Sequence, residues 1–125
     1  MADTAPTRAA LAALIAIHGL MLFALYTQTP PHPPLDTPLF ALGPFLTATL
    51  AACVAAWIMA DRPRGGPVLQ VVAALLALIS LGPQKYVDPA FPGIWPAVIA
   101  GQIAIATLLV QAARAFRIGK DSAPR

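Results

Sequence analysis

The chain has 125 residues, of which 58% are hydrophobic and 10% are charged, whereas an ordinary soluble domain has about 25% charged residues. Its formal net charge is +3, its five acidic residues are all Asp, and it contains neither Glu nor Asn. A single cysteine excludes an internal disulfide and a paired-cysteine redox site, and the missing Glu excludes exporters that depend on a glutamate inside the membrane. This composition predicts an integral membrane protein.

Four apolar runs follow one another along the chain. A helix needs about 20 mainly apolar residues to cross a hydrocarbon core of about 30 Å. Runs of about that length predict helices at 9–26, 39–60, 67–83 and 94–116. The third run is short and the fourth is long, which bilayer thinning and helix tilt accommodate. We therefore expect an all-α fold, an integral membrane bundle of four transmembrane helices.

The segments between the runs contain residues that end helices. Prolines and glycines interrupt the chain at 29–34, 61–67 and 82–93, and proline disfavours the interior of a helix. The first run follows Arg8, as in a secretory signal, but it is longer than a usual signal core and lacks a small-x-small cleavage pattern. We expect it to remain as the first helix of a single membrane domain, 1–125, that ends in a short basic tail, 117–125.

The distribution of basic residues predicts how the helices are threaded. Four crossings place both termini and the middle turn on one side of the membrane, and positive residues near helix ends are retained in the cytoplasm. The far side carries only Lys85, and the shared side carries the other seven basic residues: Arg8, Arg62, Arg64, Arg114, Arg117, Lys120 and Arg125. The sequence therefore predicts an N-in, C-in topology in a membrane such as the bacterial inner membrane.

His18 is the one ionisable residue in the middle of a predicted span. Antiparallel helices bring Thr47, Thr49 and Gln102 to a similar depth at about 1.5 Å per residue, which predicts a polar layer of these four residues. In the structural interpretation, a neutral His18 connects two helices by hydrogen bonds. In the functional interpretations, His18 ligates a haem or a chlorophyll-type pigment, or it relays protons. His32 lies in the outer loop, at the wrong depth to be a second axial ligand.

Small residues recur along the predicted helices and permit close approach of their backbones. They mark either the seams of the bundle itself or docking surfaces for other subunits, and the first interpretation is favoured because alanine is so common here. These residues are Ala48, Ala52 and Ala56 on the second helix, Ala73 and Ala77 on the third, and Ala97, Gly101 and Ala104 on the fourth.

The outer loop at 82–96 combines aromatic, proline and charged residues. Lys85 and Asp88 are its opposite charges, and Tyr86 and Trp95 are side chains that favour the membrane interface. The loop is predicted either to anchor the third and fourth helices at the interface or to form a surface that docks a partner or gates a substrate.

The sequence lacks the clustered carboxylates or histidines that acid/base and metal-dependent enzymes need, so neither a catalytic site nor a metal site is predicted. We expect a non-catalytic multi-pass membrane protein, either an accessory or structural subunit of a larger membrane complex or a self-associating bundle. Its partners would be the lipid bilayer and other membrane subunits or copies of itself, without nucleic acid. The alternatives are a homo-oligomeric carrier or channel with a polar layer around His18, and a haem- or pigment-binding electron-transfer subunit.

Overall fold

The computed structural model describes residues 3–28, 39–89 and 91–121, except for the side chains of residues 39, 40 and 121. Within these ranges the chain is helical and has no strand. All four long helices have the length and hydropathy to cross a membrane, which supports a small multi-pass membrane protein. The elements are α1 (Ala5–Thr27), α2 (Leu39–Ile58), α3 (Gly65–Leu81), a short 3₁₀ helix (Pro83–Val87) and α4 (Phe91–Asp121).

The observed helix ends differ from the predicted ones mainly at α1 and α4. α1 begins at Ala5 because Pro6 lies in its first turn, where a missing N–H costs no helical hydrogen bond. α1 ends at Thr27, and the next residue, Gln28, adopts a left-handed conformation with φ 53° and donates its backbone N–H to Ala24 O. α4 continues through 117–121, so the described part of the basic tail is helical.

The helices form a ring in which each packs against two neighbours. α1 contacts α2, α2 contacts α3, α3 contacts α4, and α4 closes the ring on α1. Consecutive helices run in opposite directions. We call the end where α1 and α3 begin the lower end of the bundle, and the end where α2 and α4 begin the upper end.

The core combines large aliphatic residues with many small residues. Leu11 and Leu14 of α1 and Leu108 of α4 are completely buried, and they pack with the equally buried Cys53, Ala56, Ala73, Ala74 and Ala77 of α2 and α3. Small side chains let backbones approach closely, and this packing replaces the hydrophobic drive that helices lack in lipid. Ala56, Ala73 and Ala77 therefore lie at the contacts between helices of the bundle itself.

The outer surface carries large apolar side chains, as expected for contact with lipid. α3 shows this most clearly, since its exposed face is made of large aliphatic residues while its inner face is made mostly of small residues. An exposed apolar surface of this kind is costly in water and favourable in hydrocarbon. The large exposed residues of α3 are Val68, Val72, Leu75, Leu78 and Ile79.

Candidate functional site

His18 lies inside the bundle, with no exposed surface. Its Nδ1 lies 2.9 Å from the carbonyl oxygen of Leu14, one turn earlier on α1. A carbonyl oxygen can only accept, so Nδ1 carries the proton and donates it to Leu14 O. In the neutral imidazole, Nε2 is then left as an acceptor that needs a donor.

That donor is Ser80 on α3. The distance from His18 Nε2 to Ser80 Oγ is 2.7 Å, and Ser80 Oγ is also 3.0 Å from Ala77 O. A serine hydroxyl has one proton, so beside a neutral imidazole it donates to Nε2 or to Ala77 O, but not fully to both. α1 and α3 are opposite members of the ring, so this bond crosses the centre of the bundle.

The unequal lengths of α1 and α3 explain why these two residues meet. α1 has 23 residues and α3 has 17. At about 1.5 Å per residue, α1 continues for about 13 Å above His18, whereas α3 ends almost immediately above Ser80. A serine hydroxyl in a helix can bond to a carbonyl oxygen of the preceding turn of the same helix. In the structure, both Ala77 O and His18 Nε2 lie within hydrogen-bonding distance of the Ser80 hydroxyl.

The structure gives Thr47 and Thr49 different partners from those predicted. Thr47 donates to Gly43 O over 2.8 Å, and Thr49 donates to Phe45 O over 3.0 Å. Both bonds reach back one turn along α2, as threonine hydroxyls in helices commonly do. Thr49 is completely buried and Thr47 is exposed, so the two do not join His18 in one hydrogen-bonded layer.

Gln102 also bonds elsewhere, at the upper end of α3. Its Nε2 donates to Leu81 O over 3.2 Å, and its Oε1 accepts from the Tyr86 hydroxyl over 2.5 Å. Leu81 is the last residue of α3, so Gln102 provides a donor for a carbonyl that has no partner within the helix. Leu81 itself packs against Gly101 of α4, where a Cβ would lie 2.5 Å from Leu81 Cδ1.

The predicted outer-loop surface lies between the end of α3 and the first turns of α4. Lys85 and Asp88 make an ion pair of 3.6 Å, with side chains that are 24% and 21% exposed. Tyr86 stacks at a tilt on Phe91, with ring centroids 5.3 Å apart. Trp95 is half exposed, as is Tyr86. Of the four predicted surface residues, the charged pair is partly buried and the two aromatic residues are half exposed.

A second charged contact, at the lower end, was not predicted. Arg8 pairs with Asp61 at 3.2 Å, donates to Thr4 Oγ1 over 2.7 Å, and lies 5.8 Å above the centre of the Trp57 ring. Arg8 and Asp61 are 53 positions apart, and no local sequence pattern joins them. The pair is substantially exposed and contributes about 0 to 1 kcal/mol, so it positions the start of α1 more than it stabilises the fold.

The hydrogen bonds of His18 bear on the cofactor hypotheses. A haem iron or the magnesium of a pigment binds a ring nitrogen through its lone pair, and in this neutral tautomer Nε2 is the nitrogen that has one. Ser80 lies on that side at hydrogen-bonding distance. Ligation through Nε2 therefore requires the His18–Ser80 bond to break and α1 to move away from α3.

Replacing Gln102 with Leu is expected to destabilise the bundle by about 0.5 to 1.5 kcal/mol, because the Leu81 carbonyl and the Tyr86 hydroxyl both lose a partner. Thr107→Val is the matched control, since the Thr107 hydroxyl bonds only within α4, to Ile103 O. Thermal melting in detergent measures both variants. Equal melting temperatures for wild type and Gln102→Leu would contradict the assigned role of Gln102.

Comparisons with known proteins add no family to this description. No protein-family model matches the chain, and neither the curated proteins nor the solved structures contain a significant match.

Proposed function

We propose that this chain is a non-catalytic multi-pass protein of the bacterial inner membrane. It acts as an accessory or structural subunit of a larger membrane complex, or as a bundle that associates with copies of itself. Both termini and the turn between α2 and α3 face the cytoplasm in this proposal, because the lower end carries nearly all of the basic residues.

The burial and the hydrogen bonds of His18 support this proposal. His18, the histidine inside the described spans, is completely buried and bonded to Leu14 on its own helix and Ser80 on α3. An ionisable group inside a membrane is by default a candidate for function, but a site for a proton, ion or cofactor needs access to it. The geometry of His18 supports a bond that holds α1 and α3 together.

Reconstitution of the purified chain into liposomes, combined with an absorption spectrum, tests the non-catalytic role. We expect no proton or ion flux above that of empty liposomes, and no absorption band in the visible range. Flux that disappears in His18→Leu would establish the carrier or channel instead. A visible band that disappears in the same variant would establish a haem- or pigment-binding subunit.

Reporter fusions test the threading. A reporter that is active only in the cytoplasm should work when fused at residue 125 or near Gly65, and should fail near His32 or Tyr86, because seven of the eight basic residues lie on the first side. His32 lies outside the described residues and serves here only as a fusion point. Loss of activity at Gly65 together with activity at Tyr86 would contradict the proposed topology.

A further inference from the structure

Basic side chains at the two ends of the bundle differ in whether they have an acidic partner. Arg8 pairs with Asp61 and Lys85 pairs with Asp88. The remaining basic residues of the described chain have no ion-pair partner among the described side chains, and all are exposed at the lower end: Arg62, Arg64, Arg114, Arg117 and Lys120. Basic residues outnumber acidic ones at the lower end of the described chain, which therefore carries a net positive charge.

Three of these arginines lie close together in depth on two neighbouring helices. α3 packs against α4, and the contact between Leu81 and Gly101 fixes their register. Arg64 lies as many residues before Leu81 as Ile118 lies after Gly101. Because α3 and α4 are antiparallel, Arg64 is therefore at the same depth as Arg117 and Ile118. Arg114 lies about one turn higher, so the three guanidinium groups belong to one band about 6 Å deep.

The band begins where the apolar part of α4 ends. The last long apolar stretch of α4 closes at Val110, and polar residues then recur at every third position: Gln111, Arg114, Arg117 and Lys120. Between them, Phe116 and Ile118 are 47% and 59% exposed. Basic side chains beside exposed apolar ones suit the boundary between acyl chains and headgroups, where the apolar groups enter the bilayer and the charges meet phosphate.

We propose that the lower ends of α3 and α4 bind anionic phospholipids, with Arg64, Arg114 and Arg117 as ligands of the lipid phosphate. A guanidinium group presents paired N–H donors that match phosphate oxygens. Lipid is favoured over an acidic protein as the occupant, because the band directly follows the apolar part of α4 and includes the exposed apolar side chains of Phe116 and Ile118, which suit the acyl region. The proposal does not depend on the accessory role.

Native mass spectrometry of the full chain tests this. The protein is purified in mild detergent and titrated with phosphatidylglycerol, or with phosphatidylcholine of identical acyl chains. We expect stronger retention of phosphatidylglycerol. Each basic residue near an anionic surface contributes a factor of about 5 in affinity, so Arg64→Gln/Arg114→Gln/Arg117→Gln should weaken phosphatidylglycerol binding by about 100-fold.

Lys85→Gln is the matched control, because it removes one positive charge at the opposite end and should leave phosphatidylglycerol binding unchanged. Millimolar inorganic phosphate should not displace the lipid, because it lacks acyl chains. Equal retention of both lipids by the wild type, unchanged binding in the triple variant, or full displacement by inorganic phosphate would each overturn the proposal. Retention of an acidic protein in place of lipid would also overturn it.

The triple variant must keep its fold for this comparison, and circular dichroism in the same detergent checks that it does. The three side chains are exposed, so we expect an unchanged helical signal. If the triple variant unfolds, the single variants Arg114→Gln and Arg117→Gln decide the matter. Each should weaken phosphatidylglycerol binding by a factor of about 5, and no change in either single variant would overturn the proposal.

Discussion

Ser80→Ala is expected to destabilise the bundle more than His18→Leu, although both variants remove the same hydrogen bond. In Ser80→Ala, His18 stays buried and Nε2 loses its donor, and an unsatisfied buried polar group costs about 1 to 3 kcal/mol. In His18→Leu, the Ser80 hydroxyl still donates to Ala77 O. That variant should lose only about 0.6 kcal/mol, the average for a hydrogen bond between membrane helices.

The double variant His18→Leu/Ser80→Ala sharpens this test. It leaves no polar group without a partner, so it should be more stable than Ser80→Ala alone, which is the non-additivity expected of residues in direct contact. Unfolding by a denaturing detergent, followed by circular dichroism, gives the three free energies of unfolding. Additive losses, or a larger loss in His18→Leu than in Ser80→Ala, would contradict the assigned hydrogen bond.

Gly66→Ala is expected to destabilise the protein by about 1 to 3 kcal/mol, the usual range for overpacking a filled site. A Cβ on Gly66 would lie 2.6 Å from Met59 O and 3.2 Å from Ala60 O. Both are backbone oxygens of the turn between α2 and α3, so relief of the clash requires the turn itself to move. The helix propensity gained from alanine, about 0.5 to 1 kcal/mol, only partly offsets this loss.

The neighbouring Gly65→Ala is the matched control for that variant. A Cβ on Gly65 would approach Met59 Cε at 3.0 Å, which is the end of a flexible side chain that can rotate away. Gly65→Ala should therefore be neutral or slightly stabilising. Thermal melting in detergent compares the two variants, and equal melting temperatures would show that the tight turn tolerates a side chain at Gly66.

The four helices could be predicted from the sequence because each depends on a long run of apolar residues, and the helices observed overlap all four predicted runs. The ends were harder to place. The first helix was predicted to begin after Arg8, but it begins at Ala5, because Pro6 fits the first turn of α1. The basic residues after Phe116 indicated a tail, yet arginine and lysine favour helices, and α4 continues through them.

The partners of the polar residues could not be predicted, because they depend on the relative heights of helices that are far apart in sequence. Thr47, Thr49 and Gln102 were placed near His18 by assuming spans of equal depth. α3 ends early and brings Ser80 to His18 instead. The hydrogen-bond partners of the two threonines lie on their own helix, because a hydroxyl that reaches a carbonyl in the preceding turn needs no partner on another helix.

Two further features could not be predicted from the sequence: the ring order of the helices and the contact of Arg8 with Asp61. Short connections favour neighbouring helices, but they leave open whether α4 returns to α1. Two exposed charges that pair across a long stretch of chain leave neither a hydrophobic periodicity nor a fixed spacing in the sequence. Both features are set by packing of the complete bundle.

We propose that this chain works by associating with other membrane proteins or with copies of itself. The mass of the particle extracted from native membranes in a mild detergent tests it most directly, by native mass spectrometry without added lipid. We expect a particle heavier than one 125-residue chain, made of several copies or of this chain with larger subunits. A single chain with bound lipid alone, at every detergent concentration that keeps the bundle folded, would contradict it.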